Sequence, residues 1–214
     1  MSKFVLLGGG GFSLELQSFM KEDGHKVLGY YALEESADLK GVIPWLGSTD
    51  CAKSSTLDRS AEYIVAVRLL KYRRKFIKFI KDNQLKAGTF IHSEAYCSPS
   101  VQLGSGAVVF PRAMLSGNAK AGEFLFMDSL SIISHGDVLG NNVVIGPSVT
   151  ICGDCMIGDN VTFGVNSAIL PGTVIESNCE IAVNTYPTRF VKENSTILTQ
   201  PGKNIGIVFN KNFR

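Results

Sequence analysis

From Ile91 to Ile181, every sixth residue of the chain is apolar. Cut from Thr89, the sequence reads TFIHSE, AYCSPS, VQLGSG and onward to CEIAVN, sixteen hexads with no insertion before Asn184. The third position is apolar in all of them, the first is mostly small or β-branched, and the fourth is Gly in six. A helix repeats its buried face about every 3.6 residues and a half-buried strand every two, so neither accounts for this period. A hexapeptide period marks a parallel β-helix, with each hexad a short strand plus a turn and three hexads closing one coil of about 18 residues. The third side chain is expected to fill the prism interior. The first also points inward near a corner, and Gly is expected to serve turns that need unusual backbone angles.

The first 88 residues follow a different pattern. KFVLL (3–7) is a short buried strand, GGGG (8–11) a tight loop, and FSLELQSFMKED (12–23) has helical apolar spacing. VLGYY (27–31) and YIVAV (63–67) are two further strands, and RRKFIKFIKDNQL (73–85) is an amphipathic helix. Strand, Gly-rich loop, helix, strand is the order of a small Rossmann-like parallel sheet, with a ligand crevice at the C-terminal ends of its strands. The reading is therefore an α/β domain over residues 1–88 and a β-helix with a C-terminal tail over 89–214.

Composition narrows the class. Over 214 residues the net charge is +2, which offers no electrostatic footprint for nucleic acid or an anionic membrane. No apolar run is long enough for a secretory signal or a bilayer span, so a cytoplasmic location is expected. The cysteine count is five, an odd number that excludes a fully paired disulfide framework within one chain. CGDC (Cys152 to Cys155) has neither the context of a redox motif nor a second ligand pair for a metal, and reads as free thiols packed inside. Of the three histidines, His25 reads as a solvated turn residue and His92 as structural at the domain junction. His135, in SIISHG, is fifth in its hexad and so an exposed turn residue. Gly153 is fifth in a hexad 18 residues later, which puts the two on one corner, about 5 Å apart along the axis.

The order of Gly-loop α/β domain, hexads and QPGK tail resembles the bacterial sugar acetyltransferases. These are left-handed β-helix enzymes that include the bacillosamine N-acetyltransferases and sialic acid O-acetyltransferase-like proteins. The resemblance implies a homotrimer with acetyl-CoA, the acyl donor, in the cleft between neighbouring β-helices, and no metal. It implies transfer to an amino group or hydroxyl of a sugar, usually nucleotide-linked, in surface-polysaccharide or glycan biosynthesis. By match of SIISH to the family's segment, His135 is the general base. Gly153 supplies the amide for the acetyl carbonyl oxygen, and Val144, Val165 and Val183 contact pantetheine and CoA. Sugar-nucleotide contacts fall on Gly10, Gly11, Phe12, Tyr31, Arg68 and Asp128.

The chain departs from that pattern in places that matter. The family has an acid directly after the histidine; here that residue is Gly136, and the next carboxylate is Asp137. The Gly loop ends in Phe12 where the family has His, and the second strand ends in YYALEE. These differences leave two functional classes open: an acetyltransferase with a divergent acceptor pocket, or a non-catalytic trimeric β-helix that binds a ligand or partner. A zinc-dependent hexapeptide carbonic anhydrase needs a histidine set that the chain lacks.

Overall fold

The computed structural model describes residues 2–50, 52 and 57–198. The QPGK segment and Cys51 lie outside them.

The N-terminal domain is a five-stranded parallel sheet in the order β3-β2-β1-β4-β5. Its strands are β1 (Lys3–Leu7), β2 (Lys26–Tyr31), β3 (Trp45–Gly47), β4 (Glu62–Val65) and β5 (Lys86–Ala87). The continuous apolar run of β1 suits a central strand, and four of its five residues are buried. Helices α1 (Gly11–Glu22) and α2 (Leu70–Asp82) provide the crossovers. Helix α2 starts three residues before the expected point, because nothing in LKY breaks a helix. It places Arg73 inward rather than on a solvated face. The short edge strands β3 and β5 have no alternation to reveal them.

From Phe90 onward the chain is a left-handed parallel β-helix of two-residue strands at the second and third hexad positions. Face I holds seven strands, from Phe90–Ile91 to Thr196–Ile197. Face II holds five, from Tyr96–Cys97 to Ala168–Ile169, and face III six, from Gln102–Leu103 to Phe190–Val191. Pairings are in register 18 residues on, as in Ile133 with Ile151 and Ile151 with Ile169, until the last coil, where Val174 pairs Phe190 and Glu180 pairs Thr196, 16 residues on. The interior is a stack of third-position residues, such as Ile133, Ile145, Ile151 and Ile169, alternating with first-position residues such as Val143, Val149 and Cys155. At the open end the stack is incomplete. Ile91 is 37% exposed, because no coil lies beneath it.

The role expected of Gly is met at the sixth position of the hexad, where Gly106, Gly136 and Gly172 have φ of 80°, 71° and 68°. The residue with left-handed φ is the sixth of the hexad, as at Asn142, Asn160, Asn166 and Asn184. The fourth-position glycines serve close approach instead. A Cβ on Gly158 would lie 2.6 Å from the backbone nitrogen of Ser177 in the next coil.

The N-terminal domain packs on face I. Phe4, Leu6, Leu16, Met20 and Tyr30 share a core with Phe90, Val108, Phe110, Phe126 and Val144. Arg73 fixes the junction: it is 1% exposed and donates to Asn142 Oδ1 at 2.7 Å, the Phe124 carbonyl at 2.6 Å and the Val67 carbonyl at 3.1 Å. Burial pushes its pKa down to about 9, so it is still a cation at neutral pH. His25 is also part of this junction and not a solvated turn residue. It stands edge-on to Phe4 and Phe90, at 5.4 and 5.8 Å. His92 is structural: its Nδ1 accepts the Glu94 N–H at 3.1 Å and its ring packs on Phe19.

Candidate active site

Three corners run along the prism, and the chemistry divides between two of them. His135 lies on the corner between faces II and III. Its turn is set by Asp137, a first-position residue pointing inward. The Asp137 carboxylate accepts the Ser134 N–H and, from the next coil, the Cys155 N–H, both at 2.9 Å. Burial raises its pKa to about 6. Cys155 is inert: burial pushes its thiol up to about 11, and Sγ donates to the Cys152 carbonyl at 2.8 Å. The CGDC sequence is thus a turn residue followed by a core residue, with both thiols free.

The imidazole of His135 lies directly over Gly153. A Cβ there would fall 2.6 Å from Cε1 and 2.8 Å from Nε2, so the absent side chain is what admits the ring. The Gly153 N–H has no hydrogen-bond partner among the described residues. Asp154 Oδ1 stands 3.9 Å from His135 Nδ1, and both side chains are exposed.

The corner between faces I and II carries a second cluster. Arg68, just past β4, donates to Asp128 Oδ2 at 2.8 Å and covers the Phe12 ring at 5.3 Å. Phe12 is wedged against Phe110 and Phe126. Glu15, one helical turn on, has its pKa raised by burial and by Asp128. Gly10 and Gly11 lead into this helix, and no atom lies within 4 Å of a Cβ built on Gly10. Val165 and Val183 are exposed on the same corner, two and three coils beyond Asp128.

Two residues expected to contact ligand are buried in this structure. Val144 is 3% exposed, at a second position that the N-terminal domain covers, so it presents no surface to a ligand. Tyr31 is 5% exposed and packs beneath α2 against Phe79. The crevice at the strand ends, about 410 Å³, is lined instead by Gly8, Gly9, Ala32 to Ser36, Val67, Tyr72 and Phe76. Glu34 and Glu35, the acids of the YYALEE segment, stand in this crevice beyond the strand C-termini. His135 and Gly153 meet as expected. The Arg68 cluster and the two valines lie on a different corner, one face away.

Comparison with known proteins agrees with this architecture. The model for the bacterial transferase hexapeptide (six repeats) matches residues 138–169. The acetyltransferase domain of PglB from Neisseria gonorrhoeae, solved with acetyl coenzyme A, superimposes with a TM-score of 0.83 at 20% identity, over 91% of this chain and 94% of that one. PerB from Caulobacter crescentus, solved with CoA and GDP-perosamine, gives 0.80 at 22% identity over 92% of each chain. WeeI from Acinetobacter baumannii gives 0.83 at 18% identity over 95% and 99%. Residues 138–169 carry the hexapeptide repeat of that family. The two-part fold of the chain is the one these three structures adopt.

Proposed function

We propose that the protein is an acetyl-CoA-dependent acetyltransferase acting on an amino group or hydroxyl of a sugar, nucleotide-linked, in the cytoplasm where the donor is made. The observation that carries this reading is the His135 imidazole lying on the backbone of Gly153 at an exposed corner. His135 removes the proton from the attacking amine or hydroxyl. The Gly153 N–H stabilises the oxyanion that develops on the acetyl carbonyl. Two solved complexes of the same fold, with acetyl coenzyme A in one and CoA with GDP-perosamine in the other, support the donor and acceptor classes. Gly10, Gly11, Phe12, Arg68 and Asp128 form the acceptor side in this reading, and Val165 and Val183 flank the pantetheine. A homotrimer completes the site by bringing the two corners together.

The test is thiol release from acetyl-CoA with a panel of nucleotide-linked amino sugars, alongside calorimetry with acetyl-CoA alone. Turnover with at least one acceptor is expected. No turnover together with no acetyl-CoA binding overturns the reading and leaves a non-catalytic β-helix.

A further inference from the structure

We infer that Asp154 is the acid that positions His135, supplied by the next coil in place of the carboxylate missing at residue 136. The inference rests on the acetyltransferase reading and deepens it. Gly136 and Asp154 are sixth-position residues of successive coils, with φ of 71° and 61°. A Cβ built on Gly136 would overlap Asp154 Oδ1. The carboxylate therefore occupies the space that a side chain beside the histidine would need. The Asp154 N–H donates to the His135 carbonyl at 3.0 Å, the bond that sixth-position N–H groups make to the preceding coil along this part of the stack, so the register of the coils itself sets the acid beside the histidine.

The alternative is that Asp154 is there only for its left-handed turn. Asn serves that conformation equally well, and six sixth positions with positive φ are Asn. Among the sixteen sixth positions Asp occurs once, beside the histidine. Asp137, the nearest acid in sequence, is already engaged by two N–H donors inside the prism. Asp154 faces Nδ1 at 3.9 Å, an ion-pair distance that a small rotamer change shortens to a hydrogen bond, as catalytic contacts do on binding substrate. With the proton held on Nδ1, Nε2 is the free base.

Three variants test this: Asp154→Asn, Asp154→Gly and the double variant Gly136→Asp/Asp154→Gly, which returns the acid to the histidine's own coil. The ¹⁵N ring shifts of His135, assigned through their loss in His135→Gln, should show an Nδ1-protonated tautomer that Asp154→Gly abolishes and the double variant restores. Asp154→Asn should lower kcat about 10- to 100-fold with KM for acetyl-CoA changed by less than about twofold, and the double variant should recover most of the rate lost in Asp154→Gly. Ring shifts that Asp154→Gly leaves unchanged overturn the inference, as does wild-type kcat in Asp154→Asn or a folded double variant as slow as Asp154→Gly. The ring shifts need no acceptor. A chain without acetyl transfer therefore fails the functional reading, while the shifts still decide the role of Asp154.

Discussion

The buried carboxyl of Asp137 has a measurable consequence for stability. Its folded pKa, about 6, is raised above the ordinary 3.8, so between these values the native chain binds more protons than the unfolded chain. Stability that is present at low pH is therefore lost as pH rises through that window, by an amount on the order of 2–3 kcal/mol. Asp137→Asn removes this slope. Urea unfolding of both proteins from pH 4 to 7 should show the wild type losing ground to the variant as pH rises, and parallel curves would contradict the buried carboxyl. His135 behaves differently. Its side chain is 72% exposed, so His135→Ala should unfold at the wild-type denaturant concentration yet lower acetyl transfer by about 10²- to 10⁴-fold. The contact of His135 with Gly153 was legible in the sequence because adding 18 to a residue number gives its neighbour along a corner. The same arithmetic leads from Gly136 to Asp154. That step is hidden from a reading that looks for the missing acid beside the histidine, where Asp137 is nearest but points into the prism.

At the scale of the hexad, the period separates inside from outside by a single residue. Ile151 is fully buried mid-stack, between Ile133 and Ile169, and Thr150 on the same strand points outward and is half-buried. Ile151→Ala should cost about 2–5 kcal/mol, measured by chemical denaturation, and Thr150→Ala far less. Equal costs would mean that the register is wrong by one. Strict spacing is why the β-helix was readable from sequence, strand by strand, through Asn184. The fourth-position glycines were readable as special, but their reason was not. Coil-to-coil contact is a property of the stack, and a single turn carries no trace of it. In the α/β domain the central strands and both helices announce themselves by apolar pattern. Arg73 does not: a cation between Tyr72 and Arg74, in a run of three basic residues, looks solvated until Phe124 and Asn142 of the β-helix close over it.

At the scale of the whole molecule, one prism keeps the two halves of the proposed site a face apart. The base and its amide are on the corner between faces II and III; Arg68, Asp128, Val165 and Val183 are on the corner between faces I and II. Both corners also leave apolar side chains in water: Leu170 on the first is 44% exposed, and Leu130 on the second 56%. Setting the first corner of one copy against the second corner of the next is a heterologous contact, which closes into a ring when the rotation is one third of a turn. Sedimentation at micromolar concentration should therefore give three times the chain mass of 23.1 kDa. A sharper experiment follows from the shared site. His135→Ala and Arg68→Ala each damage every site of their own trimer. Refolded together in equal amounts, they form mixed trimers in which about a quarter of the interfaces pair an intact His135 with an intact Arg68 from the neighbour. Acetyl transfer should recover to about that fraction of wild type. A site built within one chain gives no recovery on mixing, and a monodisperse monomer removes the shared site altogether.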